Sequence, residues 1–241
     1  MKIPALKGLI RRRLLVNFRA EPEVIAPILP KPFRPKLQAG QAIVGVCLIR
    51  LEQIRPAALP LAWGIFSENA AHRIAVEWED EAGLTQQGVF IPRRDTNSWM
   101  NHLAGGRLFP GQHHLAAFRV HQQEDAIDFA MQSHDHQVEV RLAGKVSQNL
   151  PASSCFADLD EASAFFAGGC LGYSLRHDSP RLDGLWLRTQ EWRVDALELE
   201  HVFASWYQRS KDFPRDSIHY DHTLLMRNIR HEWHAAEELI V

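Results

Sequence analysis

Residues 41–51, QAIVGVCLIRL, are apolar at nearly every position and rich in β-branched side chains. A half-exposed strand alternates apolar with polar residues, whereas an unbroken apolar run of this length reads as a strand covered on both faces. The chain that contains it must therefore pack structure against both sides of a sheet. Further strand-like stretches lie at 9–20, 71–79, 86–92, 113–121, 126–132, 137–143, 184–193, 196–207 and 218–228. Helical signals are short and few. Glu21-Pro22 opens one over 21–29, where Val24, Ile25, Ile28 and Leu29 form an apolar face before Pro30, Pro32 and Pro35 stop it. A second spans 97–104, with Thr96 or Asn97 as cap and Gly105-Gly106 as its end, and a third spans 160–168, ended by Gly168-Gly169. Many strands with no βαβ alternation predict an α+β fold, mainly antiparallel β or β-barrel-like.

There is no internal repeat, low-complexity tract or linker, and proline-rich 55–61 reads as a loop, so residues 1–241 are expected to form one domain. A net charge of −2 gives no global argument for nucleic acid or an anionic membrane as partner. Cys47, Cys155 and Cys170 form no disulfide framework, and Cys47 reads as a small core residue. The basic start, Met1 to Leu15, is interrupted by Arg11, Arg12 and Arg13, unlike a secretion signal, and no apolar run reaches membrane-spanning length. The default expectation is a cytoplasmic protein, with homo-oligomerisation left open.

Chemistry concentrates in residues 88–111, GVFIPRRDTNSWMNHLAGGRLFPG, where Arg93, Arg94 and Arg107 sit among Phe90, Ile91, Trp99, Met100 and Leu103. A guanidinium held near a core stays protonated, so it needs carboxylate partners or an anionic ligand. Arg93 and Arg94 alternate at a strand end. The inward one either pairs with Asp95, Glu68 or Glu77 or clamps a carboxylate or phosphate with bidentate donors. Arg73 and Glu77 are four apart on one strand face, either a surface ion-pair row or a polar lining inside a barrel. Ser67-Glu68-Asn69 is placed just before the 71–79 strand, in a loop or at its mouth.

The histidines, His113-His114, His134-Asp135-His136, His219 with His222 and His231 with His234, match no metal signature, and no metal or other cofactor is expected. His134 to His136 reads as a polar turn. Ser153-Ser154-Cys155 lies in a loop with no histidine marked as its base, there is no G-x-S-x-G elbow, and Gly105-Gly106-Arg107 lacks the Walker lysine.

The opening, Arg11-Arg12-Arg13 through Arg19 with Leu29-Pro30-Lys31-Pro32-Phe33, resembles that of the acetoacetate decarboxylase-like superfamily, as do Ser67-Glu68-Asn69 and Leu108-Phe109-Pro110-Gly111. Through VGVCLIRLEQIRP, SENAAHRIAVEW, GVFIPRRDTNS, LAGGRLFPG, ASAFFAGGCLGYS and LLMRNIRHEW, the chain more closely resembles the YqjF-like family within it, a bacterial domain of unknown function. The resemblance implies a β-barrel or cone with a central cavity and a few short outer helices. In acetoacetate decarboxylases a lysine, its pKa depressed by a neighbouring lysine, forms a Schiff base with a β-keto acid, and an arginine and glutamates orient the substrate. Carried over, the arginine falls on Arg11 and one glutamate on Glu68. The second glutamate falls near Cys47 and the lysine pair on Gly105-Gly106 beside Arg107, so both are missing. Lys2, Lys7, Lys31, Lys36, Lys145 and Lys211 all lie outside that element.

The resemblance thus implies a pocket for a small organic acid or carbonyl compound, without Schiff-base chemistry. Glu68 and Arg11 are the catalytic candidates, and Arg73, Arg94, Asp95, Arg107 and His113 the ligand-binding ones. Whether the chain is an enzyme of lyase or hydrolase type stays open. A non-catalytic sensor or carrier is one alternative, and a structural protein without ligand is another.

Overall fold

The computed structural model describes residues 4–58, 64–106, 109–176, 178–208, 213–214 and 216–241. The apolar run falls in β4 (Gln41–Pro56), which pairs antiparallel with β1 (Leu6–Ala20) on one side and β5 (Ile65–Glu79) on the other. Both of its faces are covered. Val44, Val46 and Leu48 pack with Leu14, Val16, Phe18, Phe129 and Leu142, while Ile43, Cys47, Ile49 and Leu51 pack with Leu15, Phe165, Leu224 and Met226.

Closure explains this double covering. β6 (Thr85–Thr96) continues the sheet from β5, and β13 (Ile218–Ile240) continues it from β1. Two routes then join β6 to β13. One runs through β10 (Leu171–Leu175) and β11 (Arg181–Thr189); the other runs through β7 (His113–Gln122), β8 (Ala126–Ser133), β9 (Glu139–Ser147) and β12 (Asp195–Ala204). Two closed circuits therefore share the central strands, in a cone-like ring instead of a regular barrel, and closure leaves few open edges. The pairings are antiparallel except those of β6 with β7 and β10. The two-residue strands β2 (Arg34–Pro35) and β3 (Leu37–Gln38) flank β5 and β4.

The helices are short: α1 (Pro22–Ile25), α2 (Trp99–Ala104), α3 (Leu159–Ala167) and α4 (Ser205–Gln208). Asp158 caps α3 by accepting from the Glu161 N–H, and Glu161 reaches back to the Ala157 N–H. Ala162, Phe165 and Phe166 then share one helix face, buried against the second cluster. No helix among the described residues is long and apolar enough to cross a membrane.

The mainly antiparallel architecture follows the expectation, and so does the polar turn at His134 to His136. Three local readings are corrected. Ser67-Glu68-Asn69 lies within β5, not in a loop, because that strand starts at Ile65. The cap of α2 is Ser98, not Thr96 or Asn97: the Thr96 hydroxyl donates to Asn69 Oδ1 and accepts from the Ser98 N–H, holding Thr96 in the sheet. Arg73 and Glu77 share the β5 face of Ala71 and Ala75, opposite Ala70, Ile74, Val76 and Trp78, but they form no ion-pair row. Arg73 is buried, while Glu77 accepts from Arg34 at 2.9 Å near the surface.

Candidate functional site

Alternation along β4, β5 and β6 sends Ile49 and Leu51, Ser67 and Asn69, and Arg94 toward one cavity of about 100 Å³. Asn101 of α2 and the Phe109–His113 segment wall one side, and Leu185 and Trp233 wall another. That volume accommodates several waters or a small organic molecule. One wall is apolar. The other is a hydrogen-bonding cluster: Asn69 Nδ2 donates to Ser67 Oγ at 2.9 Å, and Asn101 Nδ2 donates to Asn69 Oδ1 at 3.2 Å.

Arg94 brings a cationic side chain to the cavity lining. Its Nη2 donates to Ser174 Oγ at 3.3 Å, its Nε is buried and unbonded, and no described carboxylate lies within ion-pair distance. Burial brings its pKa down from 12.5 to about 10, so it remains a cation at neutral pH. Its sequence neighbour has the opposite arrangement. Arg93 donates to Asp95 at 2.8 Å and to Asp135 at 2.9 Å, a fully paired structural cluster. The structural-pairing reading is thus realised on Arg93, while Arg94 has no such partner among the described residues. Asp95 borders the cavity, but its carboxylate is held by Arg93.

His113 lines the cavity beside Arg94. Its Nδ1 lies 3.2 Å from the Gly111 carbonyl, which can only accept, so Nδ1 carries the proton. Burial, reinforced by Arg94, lowers its pKa to about 3, so the ring is neutral at physiological pH. Gly105 packs directly on it: a Cβ there would meet His113 Nδ1 at 2.5 Å and the His113 backbone nitrogen at 2.8 Å. No side chain, lysine included, fits at this position. Gly105→Ala should therefore lower stability by about 1–3 kcal/mol, read as a drop in the urea midpoint at unchanged slope.

The expected Arg11–Glu68 pair does not form at the cavity. Glu68 faces away from it, between Ser67 and Asn69, and accepts from Arg12 Nη2 at 2.6 Å and from Arg50 Nη1 at 3.4 Å. Arg11, half exposed, donates instead to Glu52 at 2.9 Å, and Arg50 bridges Glu52 and Glu68. These residues form one alternating row of ion pairs, and its physical cause is strand parity. The register shift between Ile10 and Arg12 leaves Arg12 on the Glu68 side. Arg73 is buried near Cys47, outside the cavity lining, and Arg107 lies outside the described residues. The sequence reading missed Asn69 and Asn101 as lining groups; extending the β5 alternation back to Ile65 would have found Asn69.

The sequence pattern of the DUF2071 family, described as an uncharacterized conserved protein, matches residues 9–224. No curated protein matches the chain. Among solved structures, the acetoacetate decarboxylase of Legionella pneumophila superposes with TM-score 0.65 at 8% identity, covering 98% of this chain and 88% of that one. An acetoacetate decarboxylase-like enzyme from Sphingomonas wittichii RW1 gives TM-score 0.61 at 14% identity, over 100% of this chain and 93% of that one. The enduracididine biosynthesis enzyme MppR, complexed with pyruvate, gives TM-score 0.61 at 11% identity, over 100% and 91%. At such identities the likeness establishes the fold: this is an acetoacetate decarboxylase-like architecture.

Proposed function

This chain belongs to the DUF2071 family, and from that premise we propose that it binds a small organic acid in the cavity, with Arg94 as the carboxylate anchor. The observation that carries the reading is the Arg94 guanidinium, which lines the cavity with its Nε buried, unbonded and without a described carboxylate. An uncompensated charge held in the interior is costly, and a bound anion removes that cost. Ser67, Asn69 and Asn101 offer hydrogen bonds to a carbonyl or hydroxyl on the ligand, and Ile65, Leu185 and Trp233 a surface for an apolar tail. The pyruvate complex of MppR supports the reading by analogy of fold.

Binding is favoured over catalysis. Glu68 is engaged by two guanidiniums on the far side of the strand, and His113 is too weak a base for proton transfer near neutral pH. Gly105 has no room for a Schiff-base lysine. The same reading treats residues 1–241 as one domain, because β1 and β13 are ring neighbours and closure needs both ends of the chain.

A thermal-shift panel tests the proposal. Short carboxylic acids should raise the melting temperature, and their matched neutral amides should not, since only the anion gains from Arg94. Equal shifts from acid and amide, or no shift from any acid, would contradict it.

A further inference from the structure

The sheet face that lines the cavity carries more positive charge than one carboxylate can balance. Leu15, Cys47, Ala71 and Arg94 form a single row across β1, β4, β5 and β6. One step along on the same face, Arg13 lies opposite Ile49; one step the other way, Arg73 lies opposite Gly45. Arg13, Arg73 and Arg94 therefore surround the Cys47–Ala71 pair, and Ala71 is itself a cavity residue. With strands about 4.8 Å apart, long side chains from this frame reach one another.

None of the three has a carboxylate partner among the described residues. Arg13 Nε lies 3.3 Å from Cys47 Sγ, and its Nη1 lies 3.9 Å from Met226 Sδ; thiol and thioether sulfurs are weak acceptors. Arg73, 4% exposed, donates to Asn17 Oδ1, stacks 4.8 Å over the Phe166 ring and leaves its Nε unbonded. Asn17 leads on through His222 to Asp221, but that carboxylate is already held by Arg19 at 3.0 Å. Burial first, and repulsion from Arg13 as well, bring the Arg73 pKa down to about 10.

We propose that Arg13 and Arg73 form a second anion subsite and that the ligand is a short dicarboxylate, with one carboxylate on Arg94 and the other between Arg13 and Arg73. This inference rests on the reading of Arg94 as a carboxylate anchor. Two separated negative charges match the separated guanidiniums, whereas a compact dianion reaches only one subsite.

Calorimetric titration of the full chain with succinate, glutarate, butyrate and inorganic phosphate tests it. The better diacid should bind at least about tenfold more tightly than butyrate, and phosphate should bind no better than butyrate. Arg13→Met and Arg73→Met should each abolish the diacid advantage and leave butyrate affinity within about twofold. Butyrate or phosphate matching the diacids in the unmodified protein would overturn the second subsite while leaving Arg94 as a lone anchor. An advantage that survives both substitutions would overturn it too. Failure of every acid to bind would remove the underlying reading along with it.

Discussion

Arg12→Ala is expected to lower the unfolding free energy by about 3–5 kcal/mol. The side chains of Arg12 and Glu68 are only 2% and 8% exposed, and they meet at 2.6 Å. Removing the guanidinium strands a buried carboxylate whose remaining partner, Arg50, is 3.4 Å away and partly in solvent. Arg12 also lies 5.7 Å from the Phe129 ring, so truncation opens a hole in the core as well. The double change Arg12→Met with Glu68→Leu should cost far less than the single one, because apolar groups of similar volume replace both charges. Urea denaturation of the two single variants and the double variant forms a cycle that isolates the pair. A loss below about 1 kcal/mol for Arg12→Ala would mean that Glu68 is not structurally committed, and its role as an acid or base would return to contention.

The second large effect is loss of stability in mild acid. Burial lowers the pKa of His72 and His113 to about 3 and that of His231 to about 4. His72 has no hydrogen-bond partner among the described residues, and Asp95, 4.0 Å away, is engaged by Arg93. The folded state therefore binds protons less readily than the unfolded chain, whose histidines titrate near 6.5. Their contribution is fully present above pH 6.5 and is lost as the pH falls from 6.5 toward 4 and 3. Each histidine forfeits about 1.4 kcal/mol per pH unit in that window, so the three together remove about 6 kcal/mol between pH 7 and 5. That approaches the whole stability of an ordinary domain. Carboxylates act later: despite its partial burial, hydrogen bonds from Ser133 and Gln137 and the charge of Arg93 hold Asp135 at about 2, and its contribution is lost only below about 3.8. Acid unfolding followed by circular dichroism should have its midpoint above pH 4, and His231→Phe should move that midpoint down. A transition confined to pH values below 4, unmoved by His231→Phe, would show that these rings are not buried neutral.

The fold was legible because β4 and its neighbours announce themselves through composition. A strand covered on both faces leaves an unbroken apolar run, and long strands separated by turns leave little room for other architectures. The short β10 left no such trace, since five residues after Gly168-Gly169 carry too little periodicity. The site was legible in part. Arg94 stood out as an arginine among apolar residues, but nothing local distinguished it from Arg93, whose partner Asp135 lies 42 residues away. Arg11, Arg12 and Arg13 form one sequence motif yet go to three environments: a surface pair, a buried pair and contacts with two sulfurs. Parity and a register shift decide between them, and neither is visible without the pairing of β1 with β4.

The central claim is that Arg94 holds the carboxylate of a bound acid. Its most direct test is calorimetric titration of the unmodified protein and of Arg94→Met with whichever acid gives the largest thermal shift. Arg94→Met should fold with unchanged or higher stability, because it removes an uncompensated buried charge, and should lose acid binding by about a hundredfold or more. An Arg94→Met protein that binds the acid as tightly as the unmodified chain would contradict the claim.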